Sequence, residues 1–148
     1  MQTFQREIQI RFRQADPAGI LFFGNITDLI HDSFEDFLAA IGIPWAQYFA
    51  NSEVALPIHH LEVKYLAPFF PGKKYSVEVV MGEIRSRSFS IHYRFWDHER
   101  GLLAEAKLVH ICLHVKDQLK VSLPDSIRSP LLQYQESTKA NSRKIIHE

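Results

Sequence analysis

Cysteine is nearly absent: Cys112 stands alone among 148 residues, which excludes a disulfide within the chain and fits a reducing compartment. Long apolar runs are missing too, none approaching the roughly 18 residues that cross a bilayer as a helix. The opening "MQTFQREIQI" has no basic start followed by an apolar stretch, so no signal peptide is expected. Nor does one sign of charge prevail, because 17 basic residues face 17 acidic ones and the formal net charge is zero. That balance gives no footing for nucleic acid or an anionic membrane surface as a partner of the whole molecule. Together these absences predict a cytoplasmic protein.

What is present suits one soluble domain with a sizeable core, at 46% hydrophobic and 23% charged residues. "FQREIQIRFR" alternates, with Phe4, Ile8, Ile10 and Phe12 of one parity, and predicts a half-buried strand. From about Asn25 the period changes. Ile26, Leu29, Ile30, Phe34, Phe37, Leu38 and Ile41 form a helical apolar stripe, with Asn25 and Asp28 as a capping pair and Gly42 and Pro44 as the stop. Alternation then returns in "LPIHHLEVKYLA", "KYSVEVVMGEI" and "SFSIHYRFW", and a further strand runs from Leu102 toward Val115. "LPDSIRSPLLQY" predicts a short terminal helix. The polar stretch from Gln135 predicts a frayed tail, giving a single domain over 1–134 and a tail over 135–148.

The layout is α+β: one long helix against an antiparallel sheet of about five strands. One helix leaves much of such a sheet uncovered, and near-neutral charge with 12% aromatics permits self-association, so a symmetric dimer is expected.

Between the first strand and the helix lies "RQADPAGILFFGN". Its single acid, Asp16, precedes Pro17, which biases it away from helix, and Gly19, which permits unusual dihedrals. By itself the residue type allows two readings, a turn-forming side chain or a reagent, and turns collect aspartate more often than active sites do. The segment "ADPAGILFFGN", set between strand and helix, resembles the hotdog-fold acyl-CoA thioesterases of the 4-hydroxybenzoyl-CoA thioesterase family over roughly Phe4 to Leu132. That resemblance implies a hotdog fold and hydrolysis of an acyl-CoA to free acid and CoA. It implies Asp16 as nucleophile or general base, and the backbone N–H groups of Phe23 and Gly24 as oxyanion donors. Some members carry histidine where Phe23 stands, so only the backbone is carried over at that position.

The resemblance further implies phosphate contacts to coenzyme A from Arg85, Arg87 and Ser88 in "EIRSRSFS", with Lys73 and Lys74 in reserve. Arginine's planar fork suits such anions. "ALPIHH", His31 and His110 are similar to the 1,4-dihydroxy-2-naphthoyl-CoA hydrolase branch. For a flat acyl group of that kind, Phe22, Phe23, Trp45, Phe49, His59 and His60 are the expected pocket residues. Glu35 is a reserve base on the helix. The histidines lack zinc-site spacing, so no metal is expected, nor any cofactor beyond the coenzyme A of the substrate. The implied assembly is a homodimer that shares its sites across the interface, with dimers pairing into a homotetramer. A short-chain aliphatic acyl-CoA thioesterase and a non-catalytic acyl-CoA-binding module are the rival readings.

Overall fold

The computed structural model describes residues 3–48, 50 and 53–146. Five strands, β1 (Phe4–Gln9), β3 (Ile58–Tyr65), β4 (Lys74–Ile84), β5 (Ser88–Asp97) and β6 (Gly101–Ile111), make one antiparallel sheet in the order β1-β4-β5-β6-β3. A two-residue strand β2 (Val54–Ala55) pairs with β7 (Leu113–His114) beside it. The long strands alternate as their sequences require, so Val77, Val79, Phe89, Ile91, Tyr93, Phe95, Ala106 and Leu108 are buried on the face that packs on the long helix α1 (Ile26–Ala40). Small faces large across the ladder, Ala104 opposite Phe95 and Ala106 opposite Tyr93, which lets aromatic rings fill the layer without a gap.

Helix α1 buries the expected stripe, Ile26, Leu29, Ile30, Phe34, Phe37 and Leu38. Its C-terminus closes with Gly42 at φ +93°, Gly42 N–H donating to Ala39 and Ile43 N–H to Leu38. This is the Schellman pattern, with its hydrophobic contact available between buried Leu38 and Ile43. The N-terminus corrects the sequence reading. Asn25 makes no capping bond, because a 3-10 turn over Phe23–Asn25 runs straight into α1 and starts the helical backbone earlier. The Asn25 side chain instead donates to the Gln14 carbonyl at 2.8 Å.

The C-terminal segment also departs from expectation. Rather than a short helix and a frayed tail, one helix, α3, runs from Asp125 to Ile146. Strand β1 covers β4 only as far as Val79, and α3 lies along the remainder. The Tyr134 hydroxyl accepts from Phe4 N–H at 2.9 Å and donates to the Val79 carbonyl at 2.8 Å, while Gln135 Nε2 donates to the Gly82 carbonyl at 2.6 Å. With Ile127 and Leu131 buried one turn apart, the helix is anchored by packing, and no glycine or proline follows Pro130 to stop it.

A short helix α2 (Trp45–Tyr48) packs on the middle of α1, Trp45 against His31 and Tyr48 against Phe34. At the other edge, β3 pairs with β6 on one side only and is exposed on both faces along most of its length.

Candidate active site

The aspartate loop is a small self-contained bend. Ala15 and Leu21 bridge across it, Asp16 N–H donates to the Ile20 carbonyl at 2.8 Å, and Gly19 sits at φ +79°. Asp16 Oδ1 accepts from Ala18 N–H at 2.8 Å, which is the Asx bond of a turn residue. Oδ2 has no hydrogen-bond partner among the described residues. The turn role therefore occupies one oxygen and leaves the other unengaged.

Behind the bend, the carbonyl of buried Gln14 accepts from both Phe22 N–H and the Asn25 side chain, fastening the loop to the helix start. Leu21 N–H donates to the Phe69 carbonyl at 2.8 Å and ties the same segment to the β3–β4 connection. The backbone is extended at Phe22 (φ −62°, ψ 130°) and helical from Phe23 onward. The N–H groups of Phe23 and Gly24 are thus the first of a helix, without an intramolecular acceptor among the described residues and at the positive end of the helix dipole. A methyl group at Gly24 would meet the Phe22 ring at 3.1 Å, so glycine keeps this ring close over the backbone. The Tyr65 hydroxyl donates to the Phe23 carbonyl, which fixes the helix start against the end of β3. Partial burial pushes that phenol above its ordinary pKa.

A cavity of about 810 Å³ lies between α1 and the β3 side of the sheet. Its exposed rim includes Thr27, Asp28 and His31, and its buried floor includes Ile30, Phe34, Tyr93, Leu108 and His110. Thr27 stands three residues beyond Gly24, about 4.5 Å along the helix axis. Trp45 and Tyr48 line the cavity as a stacked pair, centroids 5.5 Å apart and planes 4° from parallel. Burial and the neighbouring Cys112 thiol push the Tyr48 phenol up to about 12. The His110 ring is sandwiched between Phe34 at 4.8 Å and Phe89 at 4.9 Å, and its Nδ1 lies 3.0 Å from the Leu56 carbonyl. Burial holds this imidazole below its usual pKa, outweighing the bond to Leu56.

Of the expected pocket residues, Trp45 lines the cavity, whereas Phe22, Phe23, His59 and His60 do not, and the expected catalytic residue Asp16 lies outside it as well. Phe49 lies outside the described residues. His59 falls at a bulge in β3, and His60 Nε2 is 3.2 Å from Glu62 Oε2 on an exposed part of the strand. Arg85 and Arg87 lie in the β4–β5 turn and Ser88 opens β5, with Arg85 paired to Glu83 at 3.2 Å. That turn is far from the helix start within one chain. Ser88 faces Ile111 while Tyr65 faces Ala104, seven residues away on β6, or roughly 24 Å along the strand. Lys74 is engaged with Glu7 at 3.4 Å, and Glu35 is half-buried on α1.

Gln14 and Tyr93 were not foreseen as site residues. Nothing local in "FRQAD" marks Gln14 as a clamp, because its partners lie across the loop. Tyr93 did carry a signal: it is the one hydroxyl on the inward parity of Phe89, Ile91 and Phe95.

The profile of the thioesterase-like superfamily matches residues 10–131. A 1,4-dihydroxy-2-naphthoyl-CoA hydrolase of Trichodesmium erythraeum is 32% identical over 137 residues, spanning 91% of this chain and 99% of that protein. The enzyme of the same name from Nostoc punctiforme is 33% identical over 125 residues, 84% of either chain. Among solved structures, a 1,4-dihydroxy-2-naphthoyl-CoA thioesterase from Synechocystis superposes with a TM-score of 0.81 at 23% identity, covering 88% of this chain and 96% of that one. It shares the fold described above.

Proposed function

The chain belongs to the thioesterase-like superfamily, and from that premise we propose that it hydrolyses an aromatic acyl-CoA, of the 1,4-dihydroxy-2-naphthoyl or 4-hydroxybenzoyl type, to the free acid and CoA. The observation that carries the reading is the junction of loop and helix. There, a carboxylate with one unengaged oxygen and two unpaired helix-start N–H groups are fastened to each other through Gln14.

In this reading the thioester oxygen sits on the Phe23 and Gly24 N–H groups, which gain most as negative charge develops there. Asp16 either adds its free oxygen to the carbonyl carbon or takes a proton from water that does so. The carbon–sulfur bond breaks and the CoA thiolate leaves. In the covalent variant, one water then cleaves the resulting anhydride and restores the Asp16 carboxylate. The acyl ring extends past Thr27 into the cavity, whose aromatic walls suit a flat group.

Coenzyme A then needs Arg85, Arg87 and Ser88 near the helix start, although they lie at the opposite end of the same sheet. Antiparallel pairing of two β3 edges about a twofold axis brings one chain's Ile58 end beside its partner's Tyr65 end. The unpaired edge and the exposed Ile58 and Leu61 support such a homodimer, with each site drawing on both chains.

The test is free-thiol release from a panel of aromatic and aliphatic acyl-CoAs. Preferred turnover of aromatic esters supports the reading. Preference for butyryl-CoA would move the enzyme to the aliphatic class, and no turnover of any ester would remove the hydrolase reading.

A further inference from the structure

The two helix-start N–H groups differ in what stands behind them. Each belongs to a planar trans peptide whose carbonyl points the opposite way, since no cis bond occurs among the described residues. A donor bonded to that carbonyl therefore lies on the far side from any ligand held by the N–H. Behind Phe23 N–H stands the Phe22 carbonyl, which accepts from Asn25 N–H at 2.9 Å, a bond within the turn's own backbone. Behind Gly24 N–H stands the Phe23 carbonyl, which accepts from the Tyr65 hydroxyl, 42 residues away at the end of β3.

Tyr65 reaches that carbonyl through its parity on the strand. Leu61, Val63 and Tyr65 alternate onto one face of β3, where Leu61 lines the cavity and Val63 packs on the core. Just beyond, Leu66 N–H and Ala67 N–H both donate to the Leu103 carbonyl, so the strand end that carries Tyr65 is pinned to β6. The ring is 43% exposed and its hydroxyl fills no gap in the core. Partial burial holds the phenol above its ordinary pKa, so the group stays a proton donor at neutral pH.

A hydrogen bond to a peptide oxygen draws electron density away from the nitrogen of the same unit. The N–H at the other end becomes a stronger donor, by about 10–30% per bond. The same bond fixes the plane of the Phe23–Gly24 peptide, and with it the direction of its N–H.

We propose that Tyr65 is a positioning residue for the oxyanion site: its hydroxyl, bonded to the Phe23 carbonyl, orients and polarises Gly24 N–H toward the substrate carbonyl. This rests on the hydrolase reading and adds to it a residue from outside the junction of loop and helix. The pull on the N–H counts most when the oxygen carries full charge, so its loss falls on kcat more than on KM.

The test is Tyr65→Phe, which removes one hydroxyl and keeps the ring. One readout is steady-state hydrolysis of 4-hydroxybenzoyl-CoA and 1,4-dihydroxy-2-naphthoyl-CoA. The other needs no turnover: the infrared carbonyl band of the bound ketone analogue of 4-hydroxybenzoyl-CoA, in which a methylene replaces the thioester sulfur. A carbonyl held by oxyanion donors absorbs at lower frequency than the free ketone in an aprotic solvent. In the variant, kcat should fall roughly five- to tenfold, less than the ~100-fold or more of losing a direct donor. KM and ketone affinity should stay within about twofold, and the melting temperature should not fall. The bound band should lie between those of the wild-type complex and the free ketone.

A wild-type kcat in the variant overturns the proposal. So does a lower kcat with an unmoved band, because the hydroxyl would then serve folding or assembly instead of the donor. The two readings fail separately. No turnover of either ester by wild type, with a band displaced in wild type and less so in the variant, removes the hydrolase and keeps the donor geometry. No turnover with an undisplaced wild-type band removes both.

Discussion

Asp16 and the helix start are held mostly by bonds close in sequence, from Ala18 two residues on to Asn25 and Gln14 eleven apart. His110, on the cavity floor, takes its partner Leu56 from 54 residues back and its stacking rings from α1 and β5. The first region is largely a local device, tied to distant chain only through Phe69 and Tyr65 among the described residues. The second exists only once α1, the sheet and the α2–β2 segment have packed. Changes in the first should therefore alter turnover and spare stability, while loss of a packed ring from the second should cost stability.

The sharpest way to break that division is Phe34→Ala. Phe34 is 5% exposed and stacks on His110, so its loss should destabilise the fold by about 3–5 kcal/mol. Denaturant unfolding would show it as a shifted midpoint. A change under about 1 kcal/mol would mean that the floor is not part of the cooperative core.

Next in size is Gly24→Ala. The added methyl meets the Phe22 ring at 3.1 Å, and that ring, 44% exposed, can swing aside, so stability should change by less than about 1 kcal/mol. Turnover should fall about tenfold if the displaced ring or backbone disturbs the N–H groups, equivalent to about 1.4 kcal/mol in the barrier. Equal kcat for variant and wild type would separate Gly24 from the oxyanion site.

Smaller still is Tyr134→Phe, which removes the hydroxyl joining the β1 and β4 backbones. It should cost about 1 kcal/mol without touching kcat.

The last prediction concerns pH. Burial depresses the pKa of His110 in the folded state, so the unfolded chain binds the proton more readily. Its contribution to stability is then present above the unfolded value of about 6.5 and is lost as pH falls through the folded value. The nearby His31 adds to the depression. Melting temperatures at pH 7.5 and 5.5 should differ more for wild type than for His110→Asn; an equal difference would assign the acid sensitivity elsewhere.

The same contrast explains what could be read before folding. The strand parities, the α1 stripe and the Gly42 stop were legible, because period and turn chemistry are local properties. So was the Asp16–Gly24 segment, since its residues and the resemblance share one stretch. Asn25 misled, because a capping residue was indistinguishable from one whose side chain bonds backward to Gln14. The length of α3 was missed for a tertiary reason: a polar stretch gains a helix by anchoring on the part of β4 that β1 leaves open. Of the cavity, Trp45 was anticipated and Tyr93 was not, because the pocket joins residues from both ends of the chain.

The claim that the local device is the reagent and the distant cavity the binder is tested most directly at Asp16. Asp16→Asn keeps an oxygen to accept from Ala18 N–H, so the bend should persist, while the free carboxylate oxygen is lost. Turnover of 1,4-dihydroxy-2-naphthoyl-CoA should fall about 100-fold or more, with the free acid still binding within twofold of wild type. A variant that retains turnover within a few-fold, or that loses acid binding in step with turnover, would contradict the account.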